Sequence, residues 1–431
     1  MSGAAENKGS ARLIATSFAS LLAVVGLTLY GLPTYYDRFV HDLGWKFATV
    51  QTGNFVGKVL IGPLFGLLIG LMIDRRGPKA SMIVGMLMAG IAVAGLGTVH
   101  GYPMFLLFYC VNALGYVMAG PLPNQVLLSQ NFKERRGSAM GMAYVGIGVG
   151  FFVVNWIAPM LNERLGWRGG LNSLGIIVVV IGLPLILALR PADTTAAGPK
   201  KAPSVPLGDI LRNRNFYLLA LGSFASVGAV GGMAANMKLL LAIDQHRSQS
   251  ESYHVLATIA GVSLIGRFGA GWLADKFGPK RVMLLVYSLV VSAALLLVWG
   301  SKGDSIYLFA AVFGLGLGGE YMIIPLMAGE LFGVSVLGRV MGIIVTFDGV
   351  AEAVFPLLLG RLRDETHSYH SGFQLLAVVG AVGALAIALL PGRARKQASP
   401  WPPAPSGRAP RPDAASIRQV ELALRPGDRL T

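Results

Sequence analysis

The chain has 431 residues, of which 54% are hydrophobic and only 13% are charged. Because soluble globular domains carry about 25% charged residues, this composition excludes an ordinary soluble domain and is typical of a protein embedded in a bilayer. The single cysteine, Cys110, excludes a disulfide framework.

Apolar segments long enough to cross the roughly 30 Å hydrocarbon core of a membrane recur along the whole chain. In the first half they fall at 12–38, 46–73, 80–98, 104–130, 137–161 and 169–190. In the second half they fall at 215–243, 253–274, 282–300, 306–332, 339–363 and 371–390. We therefore predict an all-α membrane protein with twelve transmembrane helices, split six and six into units at 12–190 and 215–390.

Polar stretches frame these two units. They are an N-terminus at 1–11, a proline-containing linker at 191–214 and a tail at 391–431. The tail is rich in proline and arginine, so we expect it to be disordered. If these stretches and the polar turn at 74–79 face the same side, that side carries 25 of the 36 basic residues. Because basic residues mark the cytoplasm, we predict a protein of the cell (inner) membrane with both termini cytoplasmic.

This distribution also explains the formal net charge of +15 without any nucleic-acid partner. The partners that we expect are the lipid bilayer, a small transported molecule and a proton. We expect no cofactor, no metal and a monomeric protein.

A short polar turn occurs once in each half. The first copy runs Gly70-Leu71-Met72-Ile73-Asp74-Arg75-Arg76-Gly77-Pro78-Lys79, and its counterpart at 271–280 follows at a constant offset of 201 residues. A fixed offset indicates an internal duplication. Glycine permits a positive φ in a tight turn, and the proline after it prevents the helix from continuing. We predict conformational, gating roles for these residues of the two copies: Gly70, Asp74, Arg75, Gly77, Gly271, Asp275 and Gly278.

Three charged residues lie deep in predicted spans of the second half. At a rise of 1.5 Å per residue, Arg267 lies about 12 Å, Asp348 about 13.5 Å and Glu320 about 18 Å from the predicted cytoplasmic edge. A charge at such depth costs about 2.5–3.5 kcal/mol, which favours a functional role. Arg267 is the candidate for binding an anionic substrate, since guanidinium stays charged and binds carboxylates bidentately. The alternative is a structural salt bridge with Asp348 or Glu320.

Asp348 and then Glu320 are the candidate proton-coupling sites. Glu352 follows Asp348 by four residues, so both carboxylates share one helix face, and two close carboxylates can hold one proton between them. The alternatives are helix packing satisfied by neighbouring hydroxyls and, for Glu352, snorkelling toward the end of its span.

The first half supplies uncharged polar groups. Asn112 and Tyr116 lie four residues apart on one face of a span and are candidates for binding a small polar ligand. Tyr30 and Thr34 flank Pro33, which frees backbone carbonyls where a helix lines a cavity. Together with Ser263, one helical turn before Arg267, these four complete the predicted substrate-binding set. The alternative for Asn112 and Tyr116 is helix–helix packing.

The split into six and six spans and the paired turns resemble the major facilitator superfamily. The resemblance covers about 12–390 and implies two six-helix bundles around a substrate cavity, with alternating access by rocking. Arg267, the Arg136-Gly137-Ser138-Ala139-Met140-Gly141 segment and Gly166-Trp167-Arg168 resemble the branch of monocarboxylate transporters and oxalate–formate antiporters. That resemblance implies that Arg267 binds the substrate carboxylate.

Several departures from that branch narrow the expected substrate. Animal monocarboxylate transporters have an aspartate at the position of Ser263 and a lysine at that of Thr34. The oxalate antiporter has a lysine where Asp348 falls, and the loss of that charge disfavours a dianion. We therefore expect a secondary active transporter that carries a small monocarboxylate, such as lactate or pyruvate, with a proton.

Other functions remain as alternatives. An organic-anion antiporter of the oxalate–formate type is one. A drug–proton antiporter is disfavoured because Pro159 lacks the glycine that precedes it in the antiporter signature. A non-transporting sensor is the least favoured, because its tail lacks any recognisable folded domain. We expect no enzymatic activity, since neither a metal-ligand cluster nor a nucleophile–base pair is evident.

Overall fold

The computed structural model describes residues 2–190, 206–299 and 303–392, and every regular element in these ranges is helical. Most of the predicted linker, at 191–205, and nearly all of the predicted tail, at 393–431, lie outside the described residues. The prediction of an all-α protein is confirmed.

Eight helices belong to the first half. They are α1 (Ser2–Leu21), α2 (Tyr36–Leu43), α3 (Phe47–Val56), α4 (Gly62–Arg76), α5 (Pro78–Leu96), α6 (Tyr102–Ala119), α7 (Pro121–Asn131) and α8 (Arg136–Leu187). A π-helical segment, Leu22–Leu29, extends α1, and a second one, Gly57–Ile61, joins α3 to α4.

Seven helices belong to the second half. They are α9 (Leu207–Arg212), α10 (Arg214–Leu239), α11 (Gln249–Phe277), α12 (Pro279–Val298), α13 (Ser305–Phe332), α14 (Leu337–Thr366) and α15 (His370–Ala388). The π-helical segment Leu240–Asp244 extends α10, as its counterpart extends α1.

Ten helical stretches of the described chain are long and apolar enough to cross a membrane, whereas the sequence predicts twelve spans. Two features account for the difference. The 52-residue helix α8 is broken at Gly166, where φ is 66° and ψ is 168°, so it comprises two helices in succession. The stretch from α3 to α4 corresponds to another predicted span and is helical in three consecutive segments, but it is not among the ten.

The two polar turns have the backbone that their glycines predict. Gly77, between α4 and α5, has a φ of 80°, and Gly278, between α11 and α12, has a φ of 90°. A residue with a Cβ atom is strained in this region of φ. Each turn reverses the chain within one residue, and the following proline begins the next helix.

The two halves meet along two interfaces. Helix α4 packs against α14, and helix α8 packs against α11. Both contacts are glycine-rich: a Cβ atom at Gly70 would lie 2.3 Å from the Gly338 carbonyl oxygen, and one at Gly271 would lie 2.3 Å from that of Gly137. Small residues let the two backbones approach this closely, which is how membrane helices associate tightly.

Candidate substrate site between the bundles

A cavity of about 90 Å³ lies between the two halves of the molecule. This volume is several times the space that one water molecule needs. The cavity is bounded by the extension of α1, by α3, by α6, by residue 321 of α13 and by α14. The lining residues are Thr28, Leu29, Leu32, Tyr36, Gly53, Gly57, Gly62, Tyr109, Asn112, Ala113, Tyr116, Val117, Tyr321, Val345, Asp348, Gly349 and Glu352. Most of this surface is apolar or aromatic, with few polar groups, as is usual for a small-molecule site.

The buried polar atoms of the cavity that lack a hydrogen-bond partner in the described chain are acceptors. Asn112 is 7% exposed, and its Oδ1 atom has no hydrogen-bond partner in the described chain. Asp348 is 2% exposed; Oδ1 accepts a 2.7 Å hydrogen bond from the Ser223 hydroxyl, whereas Oδ2 has no partner among the described residues. Glu352, one turn further along α14, is half-buried and lines the same cavity.

Glu320 lies deeper, inside the second bundle. It is 3% exposed, does not line the cavity, and has the Ser226 hydroxyl beside it. Its Oε1 atom has no hydrogen-bond partner in the described residues. Glu320 also lies close enough to Asp348 and Glu352 to interact with both electrostatically. The three predicted proton-coupling carboxylates therefore form one acidic group, and two of its members face the cavity.

Arg267 lies at the α8–α11 interface and is 8% exposed, so it does not point into lipid. Its Nη1 atom donates a 2.8 Å hydrogen bond to the Ser263 hydroxyl, which itself donates to the carbonyl oxygen of Ala260. Across the interface, a Cβ atom added to Gly148 would lie 3.3 Å from Nη1. The guanidinium therefore lies between the bundles.

Within the described residues, Arg267 forms no ion pair with any carboxylate. The alternative of a structural salt bridge with Asp348 or Glu320 is therefore not what the structure contains. The side chains that interact electrostatically with Arg267 are instead the phenols of Tyr30 and Tyr144.

Arg267 does not line the cavity, but a group of tyrosines links the two. Tyr116 lines the cavity, interacts electrostatically with Tyr30 and Tyr144, which also interact with Arg267, and has the Tyr321 hydroxyl of the other bundle beside its own. Tyr144 accepts a 2.7 Å hydrogen bond from Gln125 Nε2. The arginine and the acidic cavity are thus two compartments linked by tyrosines.

The six predicted substrate residues fall into three groups. Asn112 and Tyr116 line the cavity, while Ser263 and Tyr30 lie next to Arg267. Tyr30 is 39% exposed and packs edge-on against Phe151. Thr34 belongs to neither compartment, because its hydroxyl donates a 2.6 Å hydrogen bond to the Gly31 carbonyl of its own turn.

The sequence-based reasoning missed the remaining cavity tyrosines. Tyr36 accepts a 2.9 Å hydrogen bond from the Tyr109 hydroxyl, and both line the cavity together with Tyr321. A signal was available for Tyr321, since it directly follows Glu320, and for Tyr109, which precedes Asn112 by three residues on one helix face.

The aspartates of the two polar turns reach across to the opposite bundle. Asp275 accepts hydrogen bonds from the backbone N–H groups of Gly137 and Ser138 and from the Ser138 hydroxyl, at 2.6–2.8 Å. Asp74 accepts from the N–H groups of Gly338 and Arg339 at 2.8 and 3.0 Å. Each aspartate caps the first turn of a helix in the other half, where a carboxylate favours the unpaired N–H groups and the helix dipole.

The two copies of the turn differ in the side chain that faces the aspartate: the Ser138 hydroxyl donates to Asp275, whereas Arg339 stands at the equivalent position of the other copy. Asp74 also forms an ion pair with Arg339, whose Nε atom lies 2.9 Å from Oδ2. Arg75, also predicted to take part in gating, is exposed at the surface of this end. The capping contacts that both turns share therefore join the two bundles at the end of the molecule that carries the turns.

The comparisons with known proteins agree with this architecture. The model of the Major Facilitator Superfamily matches residues 13–324 and 264–426. Human monocarboxylate transporter 11 is 28% identical over 397 residues, covering 82% of this chain and 76% of the relative. The gentisate transporter of Corynebacterium glutamicum is 22% identical over 406 residues, covering 89% of this chain and 90% of the relative.

Solved structures agree in fold. The fucose:proton symporter FucP of Escherichia coli superimposes with a TM-score of 0.69 at 16% identity, covering 87% of this chain and 97% of that one. The human organic anion transporter MFSD10 gives a TM-score of 0.64 at 15% identity, covering 89% and 99%. With two halves that meet at duplicated glycine contacts around a central cavity, the chain belongs to the Major Facilitator Superfamily and is a membrane transporter rather than an enzyme.

Proposed function

We propose that this transporter carries a small organic monocarboxylate together with a proton. The observation that carries the proposal is Arg267, a buried guanidinium between the bundles that has a hydroxyl partner but no described carboxylate partner. Charges in protein interiors are normally paired, because an isolated charge pays a large desolvation cost. A substrate carboxylate supplies the missing negative charge.

The proton site in this proposal is Asp348. One of its oxygens accepts from Ser223, and the other faces no described hydrogen-bond donor. Glu352 and Glu320 both lie close enough to Asp348 to interact with it electrostatically. Uptake of a proton by Asp348 lowers the negative charge at the cavity before the anion enters, so the loaded carrier crosses its intermediate states with less uncompensated charge.

The names of the relatives are consistent with this substrate class. They include a monocarboxylate transporter, a gentisate transporter and an organic anion transporter. In our proposal the end that carries the polar turns faces the cytoplasm of the cell membrane, because that side holds most of the basic residues. Substrate enters from the opposite end and leaves when the contacts made by Asp74 and Asp275 open.

Uptake into proteoliposomes tests the assignment. Radiolabelled lactate and benzoate are offered in parallel under an inward proton gradient, with and without a protonophore. We expect uptake of at least one of them, its loss with the protonophore, and its loss in Arg267→Gln. The matched control is Lys238→Gln, which removes an exposed basic residue of α10 and leaves uptake unchanged. Wild-type levels of uptake by Arg267→Gln would refute the proposal, and uptake that persists with the protonophore would point to exchange instead.

A further inference from the structure

The cavity beside Arg267 has a chemistry that a plain carboxylate does not satisfy. Its buried polar atoms without a partner in the described chain, Asn112 Oδ1 and Asp348 Oδ2, are acceptors. None of the described lining residues is basic. If Asp348 takes the proton, Asn112 Oδ1 remains as a buried acceptor, and a ligand in this space satisfies it by donating a hydrogen bond.

The walls of the same cavity are aromatic. The rings of Tyr36, Tyr109, Tyr116 and Tyr321 come from three helical segments and line one space. Aromatic rings pair favourably with other rings in stacked or edge-on arrangements, beyond the benefit of burying their area. A planar, unsaturated body suits this lining better than a short aliphatic chain does.

Tyr116 links the cavity to the surroundings of Arg267. It lines the cavity near Glu352 and interacts electrostatically with Tyr30 and Tyr144, the two phenols that also interact with Arg267. A ligand that pairs with Arg267 and satisfies the cavity acceptor must therefore carry a carboxylate and, apart from it, a hydrogen-bond donor. Pyruvate has no such donor, and lactate has no ring.

We propose that the substrate is an aromatic monocarboxylate that carries a hydroxyl group on its ring. The carboxylate pairs with Arg267, the ring lies among the tyrosines, and the hydroxyl donates its hydrogen bond to Asn112 Oδ1. This inference rests on the proposed function, since it names the substrate class of the same site.

Competition for uptake tests the inference with matched ligand pairs. Proteoliposomes take up radiolabelled benzoate or lactate while unlabelled competitors are titrated. We expect 4-hydroxybenzoate to compete about tenfold better than benzoate, which corresponds to one gained hydrogen bond. 4-Methoxybenzoate, which is one methyl group larger and cannot donate, competes no better than benzoate, and cyclohexanecarboxylate competes less well because it lacks the aromatic ring.

A variant of Asn112 tests whether this residue accepts the hydrogen bond from the ligand hydroxyl. Asn112→Leu keeps the branched shape of the side chain but removes the acceptor, so 4-hydroxybenzoate and benzoate should compete equally well in the variant, a comparison that does not depend on its overall rate of uptake. The wild-type ligand pairs decide the question even if this variant does not fold. If lactate competes as well as 4-hydroxybenzoate, or the methoxy ligand matches the hydroxy one, this inference is overturned and the proposed function stands. If no carboxylate is taken up or competes, the proposed function itself fails.

Discussion

The α4–α14 and α8–α11 interfaces are built from corresponding parts of the duplicated chain. One position at which their residues differ is that of Gly66 in α4, which corresponds to Arg267 in α11. In the first, Gly66 lies against Gly342, where an added Cβ atom would be 2.8 Å from the carbonyl oxygen. In the second, the residue at the same offset from Gly66 is Arg267, whose carbonyl oxygen lies 2.7 Å from a Cβ built on Gly141. One interface therefore has a glycine, which has no side chain beyond a hydrogen atom, at the position where the other has the guanidinium of an arginine.

The difference separates what the duplication preserves from what it does not. Both interfaces keep the close glycine contacts and an aspartate that caps the helix of the opposite bundle. These shared features hold the two halves together at one end. The charged groups break the symmetry: Arg267 lies at the α8–α11 interface, and Asp348 and Glu352 lie on the α14 side, next to the cavity. The substrate chemistry arises where the two repeats differ.

The largest effect is expected where the shared close contact is filled. Gly271→Ala places a Cβ atom 2.3 Å from the Gly137 carbonyl, so the bundles must separate. Overpacking costs about 1–3 kcal/mol, equivalent to roughly a five- to 150-fold change in the closed population. Uptake should fall accordingly, and Gly70→Ala should act in the same way at the other interface. Gly269→Ala is the control, because nothing lies within 4 Å of its Cβ position. Equal uptake by the variant and control would contradict the contact's role.

Neutralising the acidic side of the cavity should uncouple transport from the proton gradient. A gradient of one pH unit, worth about 1.4 kcal/mol, supports up to about tenfold accumulation in a wild-type carrier that moves one proton per substrate. Asp348→Asn imitates the protonated residue at all pH values, so accumulation should vanish while exchange of internal for external substrate continues. Glu320→Gln should retain accumulation, because Glu320 does not line the cavity. Full accumulation by Asp348→Asn would show that the coupled proton binds at a residue other than Asp348.

Replacing the capping carboxylates should have a smaller effect, and the loss of thermal stability should differ between the two interfaces. Asp275→Asn weakens a helix cap, which costs about 1 kcal/mol, together with the hydrogen bond from the Ser138 hydroxyl. Asp74→Asn weakens the equivalent cap and also loses the partly buried ion pair with Arg339, so its thermal midpoint should fall further. The two variants are compared in the same detergent by their unfolding temperatures. A larger fall in Asp275→Asn would show that the Arg339 contact adds nothing.

The smallest effects are expected at two lysines that repeat the same contact in both halves. Lys79 donates to the carbonyl oxygens of Leu187 and Leu189, and Lys280 donates to those of Ala388 and Leu390. Each ammonium group thus binds the last carbonyls of the final helix in its half. Lys79→Ala and Lys280→Ala should each lower the midpoint by at most about 2 °C. Arg281 is exposed and provides the control, since Arg281→Ala should leave the midpoint of thermal unfolding unchanged.

Much of the fold follows from sequence periodicity and from the repeat. The apolar segments, the positive φ of Gly77 and Gly278, and the pairing of Asn112 with Tyr116 and of Asp348 with Glu352 on shared faces were all predictable from local spacing. Local spacing does not fix how each helix is rotated against its neighbours, because packing between distant segments decides that.

Contacts between distant segments therefore escaped the sequence-based reasoning. Arg267 does not line the cavity, and Tyr116 and Tyr144, which link the two, come from two other helices. Thr34 was predicted to face a substrate, but its short side chain reaches the carbonyl three residues earlier and bonds there. Hydroxyl groups near a helix end often satisfy themselves locally in this way.

The central claim is that the guanidinium of Arg267 binds a carboxylate, and calorimetric titration of the purified protein tests it directly. Benzoate and its uncharged isostere benzamide are titrated into the wild-type protein and into Arg267→Gln, with the folding of both checked by their unfolding temperatures. We predict that the wild-type protein binds benzoate but not benzamide, and that Arg267→Gln binds benzoate about 100-fold more weakly, the effect of losing a charge-assisted pair. Equal affinity of the two proteins for benzoate would contradict the claim.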